Sequence, residues 1–195
     1  EQKYQESIDR FGTNLTQRFR LKGRSYVETK SLWEYFADAS EDNIQERSIS
    51  LKLYIDKKDD PLFTKKGFLF NGIIKSAGFG GSRAYSKMDI TLNTYYPLTN
   101  RSVFAMRIQF GKLWGWDENY DDYSFEKFYL GGSTSMRGWE VLRFSENENN
   151  EPNGETMRLM TNIEIRQKIY KSFGMTVFFD GGLLAEVFPK EFYSE

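Results

Sequence analysis

The chain has no cysteine, no histidine, only four prolines and almost no net charge, and nowhere does it hold an apolar run long enough for a membrane helix. Each absence removes a class of chemistry. Without Cys or His there is no thiol nucleophile, no imidazole base and no ordinary zinc site. A Ser-His-Asp triad is impossible, so an enzyme here would have to work with carboxylates, Lys, Tyr or a hard metal. No catalytic residue, metal site or cofactor is expected. The 28 acidic and 27 basic side chains among 195 residues leave a net charge of −1, which sets up no field to gather nucleic acid. No stretch reaches the ~18 apolar residues that a spanning helix needs. The start, Glu1-Gln2-Lys3-Tyr4, has no signal-peptide character, so either a leader has been removed or the chain begins in mid-protein. Lack of cysteine is compatible with a bacterial envelope.

Aromatic residues, by contrast, are abundant. They make up 17% of the chain, with 17 Phe and 12 Tyr, yet the mean hydropathy is negative. A soluble core of this size normally leans on Leu, Ile, Val and Ala. Many aromatics beside many polar residues fit a wall with one apolar face, one wet face and aromatic girdles.

Period-two alternation carries the fold reading. Ile49, Leu51, Leu53 and Ile55 oppose Ser48, Ser50, Lys52, Tyr54 and Asp56. Met88, Ile90, Leu92 and Thr94 oppose Lys87, Asp89, Thr91, Asn93 and Tyr95. Phe104, Met106, Ile108 and Phe110 oppose Ala105, Arg107, Gln109 and Gly111, and Thr161, Ile163 and Ile165 oppose Asn162, Glu164 and Arg166. The pattern recurs less cleanly at Phe11–Leu21, Tyr26–Phe36, Gly67–Lys75 and Thr176–Leu184, giving about eight strands, each long enough to cross a bilayer when tilted. Tight connections at Pro97–Asn100 and Tyr170–Gly174 contrast with the long polar stretch from Trp114 to Thr156, which is the sidedness of an outer-membrane barrel. Alternation also builds soluble sandwiches and lipocalin-like barrels. Against those, Lys87, Asp89, Arg107, Gln109, Asn162, Glu164 and Arg166 share the face that would have to be a dry core, where unpaired charge is costly. The expected fold class is therefore all-β, an antiparallel transmembrane β-barrel wall.

The most specific stretch is Phe128-Tyr129-Leu130-Gly131-Gly132-Ser133-Thr134-Ser135-Met136-Arg137-Gly138-Trp139. It resembles the "aromatic, aromatic, Leu, Gly-Gly, spacer, Arg-Gly-aromatic" signature of the BamA-type outer-membrane β-barrel assembly factors, in the outer-membrane protein 85 superfamily (bacterial surface antigen family). Further matches arrive in order. Asp59-Asp60-Pro61-Leu62-Phe63 with Gly67 resembles a periplasmic turn of that family. Asn162-Ile163-Glu164-Ile165 resembles the strand after the signature, and Phe178-Phe179-Asp180-Gly181-Gly182 the strand after that. The resemblance covers nearly the whole chain and is weakest before Asp42.

This resemblance implies a single partial barrel domain over 1–195, about eight strands of a probable sixteen, running from near the sixth strand to just after the thirteenth. The first and last strands, whose seam is thought to open for clients, would then lie outside it. The segment 114–156 would be a long extracellular loop inserted into the lumen. Its motif residues Gly131, Gly132, Arg137, Gly138 and Trp139 would meet Glu164, Asp180 and Gly182 on the wall. Parity puts both carboxylates on the lumen face, and one planar guanidinium can fork to two carboxylates. A fixed anchor and a gate would use the same residues. The implied function is non-enzymatic insertion of client barrel proteins into the bacterial outer membrane. The implied partners are outer-membrane lipid, the clients and accessory assembly subunits. Related barrels remain open at this point: a translocation-and-assembly homologue, a two-partner secretion transporter, the anchor of a patatin-type lipase or, from another class, a soluble eight-stranded ligand-binding barrel.

Three weaker features complete the reading. Asp117, Asn119 and Asp121 alternate as in a calcium loop, but Asp122 stands where Gly is needed and Phe128 where Glu is needed, so a solvated acidic loop is expected. Lys57, Lys58, Lys65 and Lys66 flank one turn and suit either anionic lipid headgroups or plain solubility. Trp114 and Trp116 end a strand as an interfacial girdle would.

Overall fold

A computed structural model describes residues 9–37, 44–81, 84–116, 126–170 and 173–186. The chain folds as eight strands in one open antiparallel sheet whose spatial order is the order of the sequence. They are β1 (Asp9–Arg20), β2 (Tyr26–Ala37), β3 (Ile44–Asp56), β4 (Gly67–Ala77), β5 (Tyr85–Pro97), β6 (Ser102–Gly115), β7 (Met157–Tyr170) and β8 (Phe173–Ala185). Eleven to fourteen residues per strand meet or exceed the roughly 9–11 that a tilted transmembrane strand needs.

The strands extend further than alternation alone suggested. Tyr170, Phe173 and Gly174 belong to β7 and β8 and not to the turn between them, and Trp114 belongs to β6, so the long connection runs over 116–156. Ladder hydrogen bonds continue past the point where side-chain alternation fades, because backbone pairing needs no particular side chain.

Register carries the parity of one strand to the next. Leu51 pairs with Ile74, Ile90 with Phe110, Ile108 with Thr161 and Ile163 with Phe179. All eleven Ile, Leu and Met residues singled out above from β3, β5, β6 and β7 therefore lie on one face. Among the described residues no second sheet covers that face: Ile49, Leu51, Ile74, Ile165 and Phe179 are exposed. Among the strand positions of this bare face whose side chains are described, only Arg47 and Lys112 are charged, and both stand near the end that carries the long connection.

The other face is covered by residues 126–156, which fold back onto the sheet. A small core forms between loop and wall. Ala77, Tyr85 and Leu113 pack with Phe128, and Met160 packs with Leu130 and Met136, flanked by Phe144 and Leu184. Beneath the loop the covered face thus holds apolar patches among its polar residues. Alternation could not foresee this, because the loop residues that need an apolar seat are distant in sequence.

At the opposite end, the turn between β3 and β4 is tied by carboxylates. Asp60 accepts from the amides of Leu62 (2.8 Å) and Phe63 (2.7 Å), and Asp59 from those of Lys65 (3.0 Å) and Lys66 (3.2 Å). These backbone hydrogen bonds hold both carboxyls below their ordinary range. Lys57, Lys65 and Lys66 are exposed around an apolar tip, Leu62 and Phe63.

Candidate functional site: the re-entrant loop and its seat

The two legs of the loop pair with each other through Phe128 and Glu155, whose amides and carbonyls exchange hydrogen bonds of 2.8 and 3.0 Å. Below that bridge the chain turns tightly. The Ser135 hydroxyl bonds to both the amide (2.9 Å) and the carbonyl (3.0 Å) of Gly131, and the Gly132 amide donates to the Trp139 carbonyl at 3.1 Å. Gly131 has φ 117°, and a Cβ there would sit 2.2 Å from the Glu140 carbonyl oxygen, so this position admits no side chain. Gly138 has open space around it but φ 92°, which a side chain disfavours.

This turn delivers Arg137 to the wall. Its Nη1 donates to Glu164 Oε1 at 2.7 Å, while Nε and Nη2 fork onto Asp180 at 2.8 and 2.6 Å. The Arg137 backbone amide adds a bond to Asp180 at 3.0 Å, and the guanidinium lies 3.7 Å from the ring centroid of Phe178. The hydrogen bonds to Asp180 and Glu164 outweigh burial and raise the Arg137 pKa above its ordinary value. β7 and β8 position the two carboxylates by register: Asn162 pairs with Asp180, and Glu164 with Phe178. Asn162 then locks the arrangement, donating to Asp180 (2.8 Å) and to the Ser135 carbonyl (2.7 Å). Arg166 holds the second oxygen of Glu164 at 2.7 Å, and Arg107 on β6 donates to the Thr134 carbonyl at 2.8 Å.

The structure therefore brings Arg137, Glu164 and Asp180 together. Gly182 lies beneath the loop, where a Cβ would meet Leu130 Cδ1 at 2.9 Å and Met136 Sδ at 3.0 Å. Trp139 does not reach the wall. It is half exposed and packs on Phe144, with ring centroids 4.9 Å apart.

Several residues of the site escaped sequence reasoning. Glu126, at the loop's entry, sits among Lys75 (2.9 Å), Lys87 (2.7 Å) and the Tyr85 hydroxyl (2.9 Å). Phe128 lies beneath two cations, Lys87 Nζ at 4.7 Å and the Arg158 guanidinium at 4.9 Å from its ring centroid. Arg158 in turn bonds both oxygens of Asp89 at 2.8 and 2.9 Å. The available signal was the acidic residue two places before the aromatic pair and the inward parity of Lys87. Among the described residues no group of acidic side chains could hold a metal ion, and Asp117, Asn119 and Asp121 lie outside them.

On the bare face Trp114 and Trp116 are half exposed at the loop-bearing end. Phe79 meets Trp116 edge-on at 6.2 Å, and the Trp116 indole donates to Ser86 at 2.9 Å. Tyr96 and Phe173 mark the opposite end. A sheet of bilayer-length strands, with an uncharged outer band between aromatic ends and a latched loop on its polar face, is the wall of an outer-membrane β-barrel.

Comparison with known proteins agrees. The Omp85 superfamily domain is matched over residues 5–190, and the chain belongs to that superfamily of outer-membrane β-barrel assembly proteins, which are not enzymes. Membership places it in the outer membrane of a bacterium or of a mitochondrion. The fold is similar to that of BamA from Haemophilus ducreyi lacking POTRA domains 1–3, with a TM-score of 0.74 at 14% identity, over 91% of this chain and 42% of that one. In sequence the chain is similar to the sorting and assembly machinery component 50 homolog of Mus musculus. The two are 32% identical over 95 residues, 48% of this chain and 20% of the mouse protein. The chain thus spans less than half the length of each of these relatives.

Proposed function

We propose that this chain is the wall and re-entrant loop of a protein that inserts client β-barrels into the bacterial outer membrane. The observation that carries the proposal is the seating of Arg137. An Omp85-superfamily wall holds a loop tip against its polar face through a guanidinium shared by carboxylates on two adjacent strands. On this reading the covered face lines the lumen, residues 116–156 enter it from outside the cell, and the turns after β3, β5 and β7 face the periplasm. The bare face meets lipid.

The physics is that of positioning. Lipid contact needs an uncharged outer face, which the strand register supplies. A loop fixed in the lumen sets the shape of the wall and what can pass through it, with no bond made or broken. Outer-membrane lipid, client barrel proteins and accessory assembly subunits are the partners that follow.

The test is complementation. Cells depleted of their own copy would receive the full-length protein, either wild-type or Arg137→Ala, and the heat-modifiable folding of other outer-membrane barrels would be followed. Wild-type should restore client assembly and Arg137→Ala should restore it poorly. Normal client assembly in cells lacking the protein altogether would refute the proposal.

A further inference from the structure

We infer that Glu126 is a positioning residue forming a second latch, independent of Arg137, so that the loop is a strut fixed at two points and not a flap hinged on one. The seat of Glu126 is built from three strands that Arg137 does not touch. Lys75 on β4 lies 2.7 Å from Glu46 on β3 and 2.9 Å from Glu126. Lys87 on β5 bonds both the carboxylate and the backbone carbonyl of Glu126 at 2.7 Å. The Tyr85 hydroxyl lies 2.9 Å from Glu126 and 3.2 Å from Glu46. The Arg137 seat is on β7 and β8, with β6 reaching the loop through Arg107. Together the two latches tie one loop to the strands from β4 to β8, with Glu46 on β3 bracing Lys75 and Tyr85 from behind.

The two latches use opposite charges: the loop offers a carboxylate to lysines at one seat and a guanidinium to carboxylates at the other. Around Glu126, Lys75 and Lys87 balance Glu46 and Glu126, so removing the loop leaves one uncompensated positive charge. Around Arg137, the Glu164 and Asp180 carboxylates pair with Arg137 and Arg166 while Arg107 bonds the Thr134 carbonyl, so removing the loop takes one guanidinium away from two carboxylates. Seating the loop the other way round would bring like charges together in both places, which is destabilising. The sign pattern thus sets the direction in which the loop lies across the wall. Between the latches Phe128, Leu130 and Met136 are buried, so a loop freed at one end keeps its apolar grip on the other.

Hydrogen exchange of the full-length protein in lipid vesicles tests this, because it reads the loop directly and not client assembly. Failure here would leave the proposed function standing. Glu126→Gln keeps size and removes charge. It should speed exchange of the Phe128 amide by about ten-fold or more through local opening, while the amides of Gly132, Arg137 and Trp139 change by less than about three-fold. Arg137→Ala should give the reverse pattern, and the double variant should free both segments. Should Glu126→Gln fail to fold, Lys87→Gln removes the same pair from the wall side. The inference is overturned if Phe128 stays protected in either charge-removing variant, or if Arg137→Ala alone exposes Phe128 as fully as the double variant does.

Discussion

The two faces of this sheet use opposite means of staying folded. The bare face carries side chains such as Ile49, Ile74, Ile108 and Ile165 that are covered only by their neighbours in the sheet and stay partly exposed, so its stability comes from a solvent that is itself apolar. The covered face carries Glu46, Lys75, Lys87, Asp89, Arg107, Arg158, Glu164 and Asp180, and each is paired with another charge or with a loop carbonyl. One face thus tolerates almost any apolar residue, while the other depends on particular partners at particular positions. Disruption should follow the same division.

The largest effect is expected at the Arg137 seat. Arg137→Ala leaves Glu164 and Asp180 facing a vacated site, and breaking a buried pair costs roughly 3–5 kcal/mol, reduced here by the half-wet surroundings. Lys in its place should recover part of the loss, since an ammonium cannot fork to two carboxylates. Urea melting of the barrel in detergent, paired with protease sensitivity after Arg143, would measure both. Equal stability of Ala, Lys and wild-type proteins would mean that the covered face does not depend on specific partners.

Next comes a paired test of the faces themselves. Ile90→Arg on the bare face should destabilise the folded barrel by about 2–4 kcal/mol, the depth-dependent charge cost near mid-membrane. Thr91→Arg, one residue along and on the covered face, should fall within about 0.5 kcal/mol. Refolding equilibria in lipid vesicles would separate them, and similar costs would dissolve the comparison. Gly182→Ala should be milder, about 1–2 kcal/mol, because its Cβ would press on Leu130 and Met136 and both can shift a little. Thermal melting of the loop-protected state provides that number.

The smallest effect concerns pH at the loop's entry. Burial alone would raise the Glu126 carboxyl, but hydrogen bonds from Lys87 and Lys75 and their charges outweigh it and hold the group at about 2. A depressed carboxylate stabilises the seated loop fully above its ordinary range near pH 4.3 and loses that contribution as pH falls toward 2. Exchange of the Phe128 amide should therefore be flat from neutral pH to about 5, after correction for the intrinsic pH dependence of exchange, and should rise below it. Gln at 126 should abolish the rise.

Much of this was readable in the residues. The alternation over Ser48–Asp56, Lys87–Tyr95 and Phe104–Gly111 puts every Ile, Leu and Met of those stretches on one face, as the register has it, because a strand's side chains can only alternate. The glycines and Arg137 of the loop motif mark a tight turn and a charge in need of a partner. Glu126 was not legible as a latch. Its partners, Lys75, Tyr85 and Lys87, lie 39 to 51 residues away in sequence, and its place ahead of the aromatic pair does not say which inward charges it will meet.

By itself, then, the sequence determined strand number, which residues share a face and the lack of thiol and imidazole chemistry, since these depend on residue type and on a two-residue repeat. Only the tertiary structure decided where the loop is held. Register brings Asn162 beside Asp180 and Glu164 beside Phe178, and the fold-back of residues 126–156 chooses which inward charges meet the loop. Salt bridges form by distance in space, and that distance exists only after the sheet has set its register.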